Sequence, residues 1–223
     1  MRLSMPASTY LRIKQAVTHH GLALRGGFRL EPEDGLGTGT MLLVGHVGRA
    51  LWPVFEADQP NTNHPLEAWT RATLAPIAEA EGATLILPND GPPYLPFQQW
   101  AMRAEPVHPS PLGILIHPEW GLWHAYRAAI VLDATLEIPA RDDRPSPCDS
   151  CADKPCLSTC PVSAFNGHAF NADRCAAHLT APAGTACRAR GCRARLACPI
   201  GREHAYDDNQ QAFHMAAFLQ GMG

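Results

Sequence analysis

Cysteine is absent from this 223-residue chain before position 148 and after position 198; all eight lie between. That confinement excludes a disulfide framework spread through a small secreted domain. No stretch approaches the roughly 20 consecutive apolar residues of a membrane-spanning helix, so no membrane partner is expected. The opening Met1-Arg-Leu-Ser-Met-Pro6 leads into mixed polar and apolar residues, neither a secretory core nor a twin-Arg signal. A reducing cytoplasmic location is the expectation. With 18 Lys and Arg against 21 Asp and Glu, the net charge is -3, so nucleic acid is an unlikely partner on electrostatic grounds. No G-x-G-x-x-G, H-E-x-x-H or Ser-His-Asp arrangement is present, which argues against a dinucleotide fold, a zinc protease or a serine hydrolase.

The cysteines carry the most information. The first four read Cys148-x2-Cys151-x4-Cys156-x3-Cys160-Pro161, and the rest are Cys175, Cys187, Cys192 and Cys198-Pro199. A cubane iron–sulfur cluster needs four thiolates around it. A C-x2-C turn supplies two from one loop, a third follows, and the fourth comes from elsewhere. The runs resemble those of bacterial two-cluster ferredoxins, in which the Cys before Pro ligates the other cluster. On that pattern Cys148, Cys151, Cys156 and Cys198 hold one [4Fe-4S] cluster. Cys160, Cys175, Cys187 and Cys192 hold a second. Zinc also takes C-x2-C pairs but gives no reason for two Cys-Pro endings. Six arginines, at 174, 188, 190, 193, 195 and 202, crowd the second run. They could raise a cluster's potential or dock an acidic donor; a solvated basic loop is the plainer reading. His178, near Cys175, is placed to donate to a cluster sulfur.

The 46% apolar content supports a real core, and 21 prolines with 18 glycines imply many loops. Helices are expected at residues 8–20, 50–57, 66–82, 97–104 and 207–219. Strands are expected around 28–30, at 40–47 (buried on both faces) and at 83–88. The apolar runs 112–117 and 122–132, joined by four residues, predict an antiparallel hairpin. The Pro-rich stretch 134–147 reads as a linker. The expected fold is α+β: a mixed-sheet domain over residues 1–136 and a small dicluster ferredoxin-like domain over 137–223.

The segment Gly113-Ile-Leu-Ile-His-Pro-Glu-Trp-Gly-Leu-Trp-His-Ala-Tyr-Arg127 resembles the corrinoid-linked reductases: epoxyqueuosine reductase, reductive dehalogenases and, in this hairpin, the cobalamin-processing decyanase. Asp90-Gly-Pro-Pro93-Tyr-Leu95 is similar to the reductase segment whose Asp is a proton donor, and Cys175-Ala-Ala-His-Leu-Thr180 to the segment between its cluster runs. The resemblance implies a nitroreductase-like first domain that binds cobalamin and receives electrons from the clusters. It also implies Asp90 as general acid and His117, Trp123, Tyr126 and Arg127 as cofactor contacts. On the residues alone, Asp90 serves equally as a turn former, His117 as a hydrogen-bonded structural residue, and Trp123 and Arg127 as an ordinary sheet face. Three functions stay open. One is an oxidoreductase fed by a ferredoxin- or flavodoxin-type donor and acting on a small molecule or corrinoid. The others are a two-cluster electron carrier and a corrinoid-handling protein.

Overall fold

The computed structural model describes residues 8–222. It divides into two compact units, one of residues 8–105 with 125–143 and one of residues 106–124 with 144–222. The sequence reading put the division at 136/137. In the structure residues 106–124 belong instead with the cysteine region, because their apolar side chains pack there.

In the first unit, helix α1 (Thr9–Thr18) starts where the Ser8 side chain accepts a hydrogen bond from the Leu11 N–H. It buries Ile13 and Val17. Strands β1 (Ala23–Arg29) and β2 (Thr40–Val47) pair antiparallel. Residues 40–46 of β2 are buried throughout, as a continuous apolar run requires. Two helices follow, α2 (Trp52–Ala57) and α3 (Pro65–Ala80). The face of α3 carrying Leu66, Trp69, Thr70, Leu74 and Ala78 is buried at helical spacing. Strand β3 (Thr84–Ile86) and helix α4 (Phe97–Ala104) complete this stretch.

The hairpin expectation is overturned. Strand β4 (His108–Pro109) pairs with β5 (Leu115–Ile116), while β6 (His124–Leu132) joins the main sheet. Only a single bridge, His117 to Gly121, closes the link between the two expected strands. Beyond that bridge the two runs part, 115–116 to β4 and 124–132 to the main sheet.

The sheet order is β1-β2-β6-β3, and β3 runs antiparallel to β6. Gly45 faces the Ala125 carbonyl and Gly39 the Leu132 carbonyl, the antiparallel sense for β2 and β6 as well. The sheet is therefore antiparallel, not mixed. The helices between β2 and β3 suggested parallel neighbours; β6 inserts between them, so two strands of like direction never touch. Residues 134–147 have no regular structure, in keeping with a linker composition.

A buried ion pair ties this unit together. The β1–β2 register shifts between Leu24 and Gly27, and Arg25 within that irregularity is fully buried. Its guanidinium grips Glu105 through Nε to Oε1 at 2.9 Å and Nη2 to Oε2 at 2.7 Å. Nη1 donates to the His46 carbonyl at 3.0 Å. The Tyr126 hydroxyl donates to Glu105 Oε2 at 2.8 Å, so one carboxylate is shared by a cation and a phenol. Burial, with the carboxylate beside it, pushes the Tyr126 phenol well above its ordinary range. Removing one partner of such a buried pair strands the other's charge. Glu105→Gln is expected to lose about 3–5 kcal/mol of stability, read by urea unfolding.

Candidate metal centre

The second unit is irregular, and short helices set its cysteines. These are α5 (Pro155–Ser158), α6 (Ala172–Thr180), α7 (Thr185–Arg190), α8 (Arg193–Leu196) and the closing α9 (Asp208–Gln220). Asn171 caps α6 and Asp207 caps α9, each accepting from the backbone N–H three residues on. Cys156 lies in α5, Cys175 in α6 and Cys187 in α7, and Cys192 is the residue before α8.

Pairwise electrostatic coupling links the eight thiols in two sets, although among the described residues no group of three or more His, Cys, Asp or Glu side chains stands close enough to hold a metal ion. Cys148 is within reach of Cys198 and Cys156, Cys156 of Cys198 and Cys151, and Cys198 of Cys151. Cys175 is within reach of Cys192, Cys160 and Cys187, and both Cys187 and Cys192 of Cys160. Cys198 thus stands with the first run and Cys160 with the second. A pocket lined by Cys160, Cys175, Cys187 and Cys192 is lined also by Leu179, Ala194, His178 and Arg193.

Each quartet is a poor place for uncompensated negative charge. Burial first, then neighbouring sulfurs, raise the thiols of Cys148, Cys156 and Cys175 above their ordinary value. Cys175 is pushed up to about 11. Burial raises Cys187, Cys192 and Cys198 too, and there backbone N–H groups pull the other way. The donors are Arg193 to Cys187, Arg195 and Ala194 to Cys192, and Ile200 to Cys198. The Ala164 N–H lies 3.3 Å from the Cys160 sulfur. His178 Nε2 lies 3.6 Å from the Cys187 sulfur, so the histidine noted in the sequence does face a thiol. Four soft donors whose ionisation is opposed by burial and by one another, yet met by N–H groups, suit a cationic centre such as an iron–sulfur core. The donor set fits that group.

The segment expected to touch a corrin does other work. Leu112, Ile116 and Leu122 form a buried cluster with Ala194 and Cys198, against which Cys148, Cys156, Cys160 and Cys192 pack. His117 is buried; its Nδ1 accepts from the Glu119 N–H at 3.1 Å and the Trp120 N–H at 3.3 Å, and its ring stacks on Trp120 at 3.8 Å. It organises the turn. Gly121 at the end of that turn has φ 56°, and an added Cβ would lie 2.0 Å from the Ile200 carbonyl oxygen. Gly201 meets Trp120 in the same way. The turn and the loop after Cys198 therefore interlock backbone to backbone. Trp123 is buried edge-on against Tyr206.

Tyr126 and Arg127 lie in the first unit. Tyr126 holds Glu105, and Arg127 Nη1 lies 3.9 Å from Glu67 in a cavity of about 110 Å3. Asp90 is ion-paired with Arg71, and its other oxygen accepts from the Leu87 N–H at 2.9 Å. Both carboxylate oxygens are engaged as acceptors, the plain turn-forming arrangement.

Four of the six arginines turn out to be braces, a role the sequence reading did not separate out. Arg188 donates to the Leu179 and Ala181 carbonyls at the end of α6, and Arg202 to the Cys198 carbonyl. Arg174 reaches the Val162 carbonyl and Arg195 that of Leu122. Arg190 and Arg193 are exposed. The Arg202 brace is local, but Arg195 and Leu122 are 73 residues apart, a pairing that spacing could not have found.

No known family's sequence profile matches this chain, and no curated protein does. Among solved structures the fold is similar to that of epoxyqueuosine reductase from Streptococcus thermophilus, with TM-score 0.52 and 16% identity over 86% of this chain and 66% of that one. It is similar also to a selenomethionine-labelled epoxyqueuosine reductase, with TM-score 0.52 and 15% identity over 92% of this chain and 69% of that one. The chain thus spans about two thirds of their length. At these identities the likeness is one of fold.

Two outcomes follow from the geometry. Gly121→Ala should cost more than Gly113→Ala, because both have positive φ but only Gly121 faces a backbone atom. Gly113→Ala should lose about 1–2 kcal/mol for its conformation alone, and Gly121→Ala clearly more, by denaturant unfolding. In metal-free reduced protein the thiolate is the reactive form, so a thiol raised from 9.0 to about 11 should alkylate slowly. At pH 8 Cys175 should react roughly a hundredfold more slowly than an unperturbed thiol and speed up as pH rises, by mass-spectrometric footprinting.

Proposed function

We propose that the two cysteine quartets each hold a [4Fe-4S] cluster and that the chain is an iron–sulfur redox protein. One observation supports this reading: the thiol before each Pro couples electrostatically to the opposite run, Cys198 to Cys148, Cys151 and Cys156, and Cys160 to Cys175, Cys187 and Cys192. The clusters would accept and release single electrons. The chain's own part is to hold the sulfurs, direct backbone N–H groups at them and exclude water. The apolar cluster of Leu112, Ile116 and Leu122 covers Ala194 and Cys198 and so supplies part of that exclusion.

The likeness in fold and the resemblance in sequence favour an oxidoreductase that delivers electrons onward, with a nitroreductase-like first domain and a dicluster ferredoxin-like second. The solved proteins of this fold are named as reductases of epoxyqueuosine. For this chain a cobalamin acceptor is the part of the reading that rests on resemblance. Its four expected contacts are occupied: His117 and Trp123 in the interior of the second unit, Tyr126 with Glu105, and Arg127 in a cavity far too small for a corrin. Asp90 is held by Arg71 and by the Leu87 N–H. That occupancy favours the two-cluster electron carrier as second reading. A nucleic-acid substrate is not excluded by a net charge of -3, since that value averages over the whole surface.

Among the described residues no helix is long and apolar enough to cross a membrane. A small acidic redox protein as donor is the partner this reading needs.

Anaerobic reconstitution followed by iron and sulfide analysis should give about eight of each per chain, and Cys175→Ser about half. Zinc in place of iron would end the reading. Cobalamin added to the reduced protein separates the reductase from the carrier: a change in the cobalt absorption bands supports the first, and an unchanged spectrum the second.

A further inference from the structure

Arg195 differs from the other arginines of its unit. It follows Cys192 by one turn, and its backbone N–H points, with that of Ala194, at the Cys192 sulfur. Its side chain runs inward. Nε donates to the Leu122 carbonyl at 3.1 Å, and the guanidinium carbon lies 4.5 Å from the Trp123 ring and 4.5 Å from the Tyr206 ring. Both rings are buried, at 1% and 4% exposure. The two rings meet edge to face with centroids 5.4 Å apart, so the guanidinium rests against both from one side; it keeps its charge, because arginine does not deprotonate in proteins. The rings favour the cation and shield it from salt. Among the described residues no carboxylate pairs with it; its partners are one carbonyl and two rings. Its charge stands three residues from Cys192, couples electrostatically to that thiol and is paired with no carboxylate among the described residues. Arg188 and Arg202, by contrast, brace carbonyls without a ring on either side, and Arg190 and Arg193 are open to solvent.

We propose that Arg195 is a fixed, ring-shielded positive charge that raises the reduction potential of the cluster on Cys160, Cys175, Cys187 and Cys192. The proposal rests on the two-cluster reading above. On reduction that centre takes one electron from an external low-potential donor, no bond forms or breaks, and the site gains one negative charge. Arg195 stabilises the more negative state and so favours it. Arg195 is a positioning residue in this sense: it touches the ligand loop, not a substrate. The same packing links the potential to Trp123 and Leu122, residues outside the cysteine stretch.

The test is an anaerobic redox titration of the full reconstituted chain, followed by electron paramagnetic resonance. Iron and sulfide are measured first on every sample. The signal lost in Cys175→Ser identifies the second quartet's cluster. In Arg195→Met that cluster should titrate to lower potential by at least a tenfold change in its oxidised-to-reduced ratio, about 59 mV for one electron. The other cluster should not move. Arg195→Lys should restore most of the shift. At 1 M salt, where the screening length is about 3 Å, the difference should persist. Arg190→Gln, at an exposed position, should shift the potential little. If Arg195→Met does not load iron, Arg195→Gln, which keeps a donor for the Leu122 carbonyl, takes its place. Full iron content with an unmoved potential, or equal shifts in the Lys and Met variants, would overturn the proposal. Iron well below about eight in the unaltered chain would instead overturn the two-cluster reading beneath it.

Discussion

Gathering eight thiols in one stretch of chain creates a cost that the polypeptide alone does not remove. Each quartet is partly buried, each sulfur opposes the ionisation of its neighbours, and a few N–H groups offset only part of this. The rest of the second unit makes sense as a response to that cost. Short capped helices fix the sulfurs, backbone donors face them, and arginines clamp the carbonyls at the loop ends. Caps, braces and the apolar cluster order the unit, and a bound cationic group would relieve the crowding of its sulfurs.

The first unit is organised by the opposite solution. There a charge is buried fully and neutralised in place, with Arg25 and Glu105 locking a strand irregularity to the end of a helix. The second unit instead crowds thiols whose ionisation burial opposes. The contrast makes the second unit the place to look for chemistry.

Much of this was legible in the residues. The expectation of two quartets rests on cysteine order and the Cys-Pro endings, and β2 follows from an uninterrupted apolar run. The helices over residues 9–18, 65–80 and 208–220 lie within two residues of the expected ones. What spacing could not show was pairing at a distance. The run 122–132 is strand-like, but nothing local says that it enters the sheet between β2 and β3 instead of folding back on 112–117. The same limit applies to His117 and Trp123. Their segment resembles a cofactor-binding one, yet the packing that buries them depends on Ile200, Arg195 and Tyr206, far along the chain. Asp90 is the converse case: its turn-forming role is local and was visible, while its pairing with Arg71 was not.

The cysteine-bearing unit is not contiguous in the chain. It borrows residues 106–124 from before β6, and that borrowed piece supplies Leu112, Ile116, Leu122 and the Gly121 wedge. The unit is therefore not a detachable cassette. A truncation starting at Arg144 would carry every cysteine but leave Ala194 and Cys198 uncovered and Arg195 without its carbonyl and indole. Transplanting the cysteine stretch into another protein would have to bring the loop with it.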